Sequence, residues 1–161
     1  MWCSEHIRPR RALATLIALA ALAALALACA GRVQAQGASD VPRLAVVAAR
    51  ASGLEALTRE GAEQFYLGRR TALPDGRAVT LVDLPAGATR DQFYLRLTRK
   101  NPSQIRAYWS RLVFTGRAQP PIEAADAEEV RRILRATPGA IAYLPLGEAQ
   151  DPALVVLLTL D

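Results

Sequence analysis

The sequence predicts one α/β domain in which helices cover both faces of a sheet, and three observations support this. Short apolar segments rich in Val and Leu alternate with segments of helical periodicity between residues 43 and 160. Three helix starts carry the residue pattern of a capping box ahead of an apolar stripe. The segment 78–84, AVTLVDL, is mostly apolar, which is typical of a strand in the middle of a sheet.

Four strands are predicted, at residues 43–49, 78–84, 140–146 and 153–160. Each is a short apolar run next to polar or turn residues. The second follows the turn LPDG, residues 73–76, which places Pro74 in its favoured position. Residues 116–121, GRAQPP, are expected to be extended at an edge or a crossover, because Pro121 cannot join a central ladder.

Four helices are predicted from residues that start or stop a helix. The first is expected to begin at the N-cap Thr58 and to stop at Gly68. The capping-box pairs at the starts of the other three are Thr89 with Gln92, Asn101 with Gln104, and Asp126 with Glu129. Pro102 takes the first helical position of the third helix, where its missing N–H costs nothing. The sequence TPG, residues 137–139, is expected to end the fourth.

Aromatic residues at helical spacings are expected to pack in the core rather than to form a stacking platform. They are Phe65, Tyr66, Phe93, Tyr94, Tyr108, Trp109 and Phe114. Tyr66 and Tyr94 each follow a phenylalanine by one position. One member of each pair is therefore expected at the flank of its helix, partly exposed to solvent.

The chain is predicted to begin with a secretory signal peptide. The predicted segments are the signal peptide at 1–35, a linker at 36–42 and the domain at 43–161. Three arginines precede a long uncharged run, and Val33 and Ala35 suit a signal-peptidase cut before Gln36. We therefore expect the protein in the periplasm.

Two other fates of the leader are considered. The uncharged run covers residues 12–31, which is long enough to span a bilayer as an uncleaved anchor in the inner membrane. A lipoprotein cut before Cys29 is disfavoured, because Ala26 stands where such sites want Leu or another bulky aliphatic residue.

Removing the leader changes what the composition implies. The whole chain carries a formal charge of +5, but four arginines and one glutamate lie in the first 35 residues, so the remaining 126 carry +2. That balance does not favour nucleic acid as a partner. Cys3, Cys29 and His6, which are all the cysteines and histidines of the chain, also fall in the leader. The exported domain is therefore expected to rely on its hydrophobic core and not on disulfides.

The residues after the leader offer no arrangement that supports catalysis. Without histidine and cysteine, nucleophilic triads and zinc sites lack their usual side chains, and no glycine-rich nucleotide-binding loop is present. Asp75, Asp83 and Asp91 are interpreted as a turn residue, a strand-end residue and a helix-start acid. We therefore expect no enzyme activity, no metal and no cofactor.

Five short motifs follow one another in the order found in a family of binding proteins. They are FYLG at 65–68, LPDG at 73–76, GAT at 87–89, YW at 108–109 with FTG at 114–116, and PGAIAY at 138–143. Their order and spacing resemble the phosphate-type periplasmic substrate-binding proteins of ABC transporters, and most closely their small exported single-lobe relatives. The resemblance covers roughly residues 43 to 160. It implies one lobe of the type II periplasmic-binding-protein-like fold, with a mixed sheet and helices on both faces.

The resemblance also points to a ligand site at the loop after the second strand. In the family an Arg before this loop and the sequence Ser-Gly-Thr hold phosphate. Here the residues before the loop are Val82, Asp83 and Leu84, so the arginine is absent. The loop itself reads Gly-Ala-Thr, so the serine hydroxyl is also absent. Asp83 would repel an anion if it pointed inward.

Some capacity for an anion is still expected at the start of the helix that follows. The first turn of a helix has free N–H groups and the positive end of the dipole. The candidate ligand-binding residues are Gly87, Ala88, Thr89 and Arg90. Thr89 is expected to serve as the N-cap as well, and Arg90 is expected to be solvated at the surface.

Two functions are therefore considered. The first is an exported, non-enzymatic binding domain with weak or vestigial binding of phosphate or another small anion. The alternative is a periplasmic interaction or sensory accessory module that has no small-molecule ligand and docks on an envelope membrane protein. Because one lobe provides only half of a pocket, pairing into a homodimer is considered as well.

Overall fold

A computed structural model describes residues 42–161, in which five strands form one mixed sheet. The strands are β1 (Leu44–Ala49), β2 (Thr80–Asp83), β3 (Ile122–Glu123), β4 (Ala140–Pro145) and β5 (Leu154–Leu160). Their order in the sheet is β3-β2-β4-β1-β5. β1 is antiparallel to β4 and β5, whereas β2 is parallel to β3 and β4. The predictions on the leader and on linker residues 36–41 lie outside the described residues.

Four helices connect and cover the strands. They are α1 (Arg59–Tyr66), α2 (Ala88–Thr98), α3 (Pro102–Phe114) and α4 (Ala127–Ala136). Every residue of β1 is buried, and β4 is buried over five of its six residues. Strands buried in this way are covered on both faces of the sheet. The predicted α/β fold class is therefore confirmed, and no helix among the described residues is long and apolar enough to cross a membrane.

The predicted helix starts are confirmed where the capping residues act locally. Thr58 caps α1, and its hydroxyl accepts the Gly61 N–H at 3.0 Å. Asn101 and Gln104 form a complete capping box at α3, with each side chain accepting the backbone N–H of the other residue. Pro102 is the first residue of α3, as predicted.

The other two predicted capping boxes differ from the structure. The N-cap of α2 is Gly87, which provides no side-chain cap, and Thr89 lies inside the helix as its second residue. The prediction that Thr89 is the N-cap is therefore wrong. At α4, Asp126 caps the N–H of Glu129 as expected. The Glu129 carboxylate, however, accepts the N–H of Ala125 and not that of Asp126.

The extended segment expected at residues 116–121 is found directly after them, as the short strand β3. β3 begins at Ile122, directly after Pro120 and Pro121, and it lies at the edge of the sheet as expected. It pairs only with β2, in parallel, over two residues. A two-residue edge strand preceded by two prolines offers little backbone for further pairing.

The opposite edge strand, β5, is closed by donors that lie outside the sheet. The Leu57 N–H donates to the Leu157 carbonyl oxygen at 2.9 Å. The guanidinium groups of Arg50 and Arg96 donate to the carbonyl oxygens at the two ends of β5, those of Leu154 and Leu160. Three of the seven carbonyl groups of this edge strand therefore accept hydrogen bonds from outside the sheet.

Two glycines are required by the backbone. Gly139 lies directly before β4, and a Cβ atom there would come closer to the carbonyl oxygen of Ala78 than real Cβ atoms come to other atoms. Gly68 ends α1 with a φ of 62°, in the left-handed region that favours glycine. Its position confirms the predicted helix stop. A Cβ atom at Gly68 would also crowd Trp109 and Ala118.

We predict that Gly139→Ala destabilises the protein by roughly 2 kcal/mol or more, because the backbone of Ala78 must move to admit the methyl group. The measurement is urea unfolding followed by circular dichroism. Gly147→Ala is the matched control, since nothing lies within 4 Å of a Cβ atom at Gly147. Its expected effect is under about 0.5 kcal/mol. Equal stability of the two variants would contradict the proposed close approach at Gly139.

Candidate ligand-binding site

The candidate site lies where β2 ends and α2 begins. β2 ends at Asp83, and residues 84–87 form a short loop that leads into α2 at Ala88. Residues 85–88 are all exposed. In an open α/β sheet, ligands bind outside the carboxyl ends of the strands. The loop therefore lies at the end of the sheet where such folds bind ligands, and a ligand at this loop stays a prediction.

Asp83 is the centre of this site, and its carboxylate is buried with an exposed fraction of 1%. The hydroxyl of Tyr94, in α2, donates to Oδ2 at 3.0 Å. The hydroxyl of Tyr143, in β4, donates to Oδ1. The guanidinium of Arg90, in α2, lies 2.9 Å from Oδ2 and forms an ion pair with it. Asp83 is thus a strand-end residue, as predicted, but one with a complete set of buried partners.

An aromatic cluster lies beneath the carboxylate. Phe93 stacks on Tyr143 with ring centroids 3.6 Å apart, and it meets Tyr66 edge-on at 4.7 Å. The Tyr66 hydroxyl reaches the carbonyl oxygens of Val82 and Ile141, each at 3.3 Å. It therefore links β2 and β4 close to where their ladder ends. Two of the short motifs of the sequence, FYLG in α1 and PGAIAY in β4, meet in this cluster.

These rings correct one expectation about the aromatic residues. Both members of each Phe-Tyr pair are buried, so the prediction that one of each pair is partly exposed is wrong. Burial of the two tyrosines is possible because each hydroxyl has a hydrogen-bond partner inside the protein. The indole N–H of Trp109 lies near the Tyr94 hydroxyl, yet it makes no hydrogen bond of ordinary geometry within residues 42–161.

Arg90 is held by two carboxylates. Besides its contact with Asp83, its Nη1 lies 2.8 Å from Oε2 of Glu123 in β3. The Arg90 side chain is 27% exposed, whereas that of Glu123 is 60% exposed. The prediction that Arg90 is a solvated surface residue is therefore wrong, and its guanidinium is largely engaged by the protein itself.

The first turn of α2 has features that favour an anion and features that oppose one. Because Gly87 has no side chain, no side-chain cap occupies the N–H groups of this turn. Gly87 has an extended backbone and open space around it, so its residue type is not dictated by strain. Asp91, however, lies in the same turn and places a negative charge there, as predicted for a helix-start acid.

Burial sets the protonation behaviour of the cluster. Burial raises the pKa of Asp83 above its ordinary value, although the hydrogen bond from Tyr143 and the charge of Arg90 act in the opposite direction. Ionisation of Asp83 therefore lowers the stability of the fold as the pH rises through this raised pKa. Burial and the charge of Asp83 raise the pKa of Tyr143, so the phenol remains a donor.

An apolar groove of about 640 Å³ runs beside this site, between α3 and the segment before β3. Its lining residues are Ala86, Arg90, Pro102, Ile105, Arg106, Trp109, Ser110, Val113, Phe114, Pro120 and Pro121. The side chain of Phe114 is 93% exposed, so its predicted place in the core is wrong. Tyr108 is partly buried, and its hydroxyl donates to the carbonyl oxygen of Leu67 at 2.7 Å.

Sequence reasoning predicted the loop but missed the contacts of Asp83 and Arg90. Tyr143 lies 60 residues beyond Asp83, and Glu123 lies 33 residues beyond Arg90, so no local pattern joins them to this site. One signal was available: Asp83 is the only charged residue in the predicted apolar strand at 78–84. A charge in a buried strand needs partners, which implies a polar cluster at that point. Within residues 42–161, no group of three or more metal-ligating side chains is present.

The mixed α/β fold of this chain is similar to that of a solved binding protein. A phosphate ABC transporter substrate-binding protein from Clostridium perfringens, solved with bound phosphate, superposes with a TM-score of 0.55 at 14% identity. The match covers 73% of this chain and 45% of that one. An ABC-type phosphate transport receptor from Vibrio cholerae gives a TM-score of 0.49 at 14% identity, covering 73% and 46%.

This chain therefore spans less than half the length of both solved proteins. No protein-family description matches it, and no curated protein matches it by sequence. At this identity the likeness shows the fold, and it leaves the ligand to be inferred from the residues of this chain.

We predict that Arg90→Gln destabilises the protein by roughly 3 kcal/mol, because it leaves the buried Asp83 carboxylate without its cation. Asp83→Asn should destabilise the protein less, since Arg90 keeps its ion pair with Glu123 and its contact with water. In the double variant, the cost of Arg90→Gln should fall by about 1–3 kcal/mol, as expected for side chains in direct contact. The measurement is urea unfolding of all four proteins.

Arg135→Gln serves as the control for this cycle. Arg135 also pairs with an aspartate, Asp151, at 3.0 Å, but its side chain is half exposed. An exposed pair contributes about 0–1 kcal/mol. If Arg90→Gln were no more harmful than Arg135→Gln, Asp83 would not depend on Arg90.

Proposed function

We propose that the protein is an exported, non-enzymatic binding domain whose ligand-binding site is the start of α2. The observation that supports this is an uncapped helix N-terminus placed directly after a buried strand end. Such a terminus offers N–H groups and the positive end of a dipole to an anion. The candidate contacts are Gly87, Ala88, Thr89 and Arg90, with phosphate or another small anion as the ligand.

The charges around this helix start argue for weak binding. Arg90 is shared between the carboxylates of Asp83 and Glu123, and Asp91 adds a third negative charge nearby. An arriving anion therefore meets one cation and three acids. In this proposal the Asp83 carboxylate takes the place of a bound anion, because it pairs with the Arg90 guanidinium that a phosphate would otherwise contact.

The proposal predicts sulfate binding that strengthens when Asp83 loses its charge. Sulfate is chosen because its own charge stays constant at mildly acidic pH. Asp83→Asn should raise the sulfate affinity about tenfold, a change of ~1.4 kcal/mol, because Arg90 is then freed from its buried partner. Acidification should raise the affinity of the native protein, since the raised pKa of Asp83 lets it take up a proton earlier than an exposed aspartate does.

The measurement is calorimetric titration at low salt, with residues 36–161. Asp75→Asn is the control, because Asp75 forms a similar pair with Arg77 on an exposed turn. It should leave the sulfate affinity and its pH dependence unchanged. The pH dependence should weaken in Asp83→Asn. Absence of heat and of a thermal shift in both the native protein and Asp83→Asn would exclude an anion site at this loop.

Export is the second part of the proposal. We predict that the protein recovered from the periplasm begins at Gln36, because the leader carries the cut site described above. N-terminal sequencing of that protein is the measurement. A protein that stays in the membrane fraction with Met1 intact would instead be anchored to the inner membrane.

A second candidate function is an envelope accessory module without a small ligand. The apolar groove beside α3, with Phe114 standing exposed at its rim, favours it. An envelope membrane protein or a second copy of the chain would be the partner. This function is favoured if sulfate and phosphate fail to bind while the protein is recovered in a complex from envelope extracts.

A further inference from the structure

Positive charge is concentrated in one part of the chain. Residues 92–122 contain six basic residues and no acidic residue. The basic residues are Arg96, Arg99, Lys100, Arg106, Arg111 and Arg117. In the rest of the segment 42–161, thirteen acids outnumber ten basic residues. The cationic surface is therefore local, and it centres on α3 and the turns at its two ends.

The outward face of α3 has a regular layout. At 100° per residue, Ser103, Ala107, Ser110 and Phe114 form a line along the helix. All four are exposed, and the first three are small and uncharged. Phe114 stands at the end of this line and is the most exposed of the large apolar side chains in the described segment.

Basic side chains stand on both sides of this line. By the same periodicity, Arg106 lies on one side of it and Arg111 on the other, while Lys100 and Arg117 lie in the turns just before and just after α3. None of these four forms an ion pair with another of the described residues, although Arg111 lies over the Tyr108 ring at 5.9 Å. Their charges are thus available to an external partner.

We propose that this face of α3 docks on an anionic phospholipid surface. Phe114 would enter the headgroup region, and the four basic side chains would contact lipid phosphates beside the helix and at its two ends. Helices that lie on membranes combine an inserted aromatic residue with flanking Lys and Arg in this way. Each basic residue near an anionic surface adds to the attraction.

Two other occupants fit this face less well. In a second copy of the chain, the same cationic face would be opposed by its own charges. A protein partner is anchored mainly by large side chains in pockets, whereas the central line of this face is Ser, Ala and Ser before Phe114. The inference is independent of the proposed anion site, and it would stand if Gly87 to Arg90 bound no anion.

The test is co-sedimentation of residues 36–161 with lipid vesicles. This segment contains all the strands and the complete described core, and folding is checked by circular dichroism. The protein should bind vesicles of phosphatidylglycerol mixed with phosphatidylcholine but not vesicles of phosphatidylcholine alone. Raising the salt from 0.1 M to 1 M should release it, because the Debye length falls from about 10 Å to about 3 Å.

Phe114→Ala should weaken vesicle binding about tenfold, since the ring would no longer leave water. It should leave the melting temperature unchanged, because the side chain is already exposed. The pair Arg106→Gln with Arg111→Gln should weaken binding by roughly tenfold or more. The matched control is Arg43→Gln with Arg132→Gln, which removes the same charge from other exposed positions and should leave binding nearly unchanged.

Four results would overturn the proposal. An equal loss of vesicle binding in the two double arginine variants would show that the net charge of the protein alone causes the attraction. Binding that is unchanged in Phe114→Ala would show that the ring does not insert. Displacement from the vesicles by low concentrations of inorganic phosphate or glycerol phosphate would show a site for one anion and not a surface. Absence of binding to anionic vesicles would leave the face to a protein partner.

Discussion

The buried carboxylate of Asp83 constrains the elements that surround it. An unpaired charge in a protein interior costs several kcal/mol, so β2 can end in a buried aspartate only if its partners are fixed in place. Those partners come from the first two turns of α2 and from β4. The same contacts determine where the loop between β2 and α2 begins and how α2 lies against the sheet. The packing of α2 against the sheet and its hydrogen bonds to Asp83 therefore depend on each other.

This constraint is the reason why we expect the proposed anion site to be weak. The guanidinium that could bind a ligand is used to neutralise Asp83, so stability and ligand binding draw on the same side chain. The phenols of Tyr94 and Tyr143 are also turned toward Asp83 rather than toward solvent. Any change that frees these donors for a ligand must also supply another partner for the buried carboxylate.

The parts of the structure that depend on neighbours in sequence could be predicted from the sequence. The capping box of Asn101 and Gln104 is correct because both partners lie within one turn. The same pattern fails at Thr89 and Gln92, because α2 begins two residues earlier than the pattern predicts. Gly87 is the N-cap, and Thr89 is already the second residue of the helix.

What could not be predicted depends on residues far apart in the chain. The engagement of Arg90 requires β3, and the burial of Asp83 requires β4, whose pairing with β2 no local pattern specifies. Phe114 is placed wrongly for a different reason. By the helical period it falls on the exposed face of α3, opposite the buried Ile105 and Trp109, so its apolar character alone suggested a place in the core. The sequence could predict that a loop joins β2 to α2, whereas the charged contacts around this loop could not be predicted.

The closed edge of β5 has a consequence for the protein before it folds. Its sequence, LVVLLTL, is uncharged and rich in residues that favour strands, which is the composition of segments that aggregate. In the folded protein Arg50, Leu57 and Arg96 occupy carbonyl groups along this strand. These donors come from the segments after β1 and from α2. Until those segments are in place, these carbonyl groups have no partner, and the strand is open to pairing with other chains.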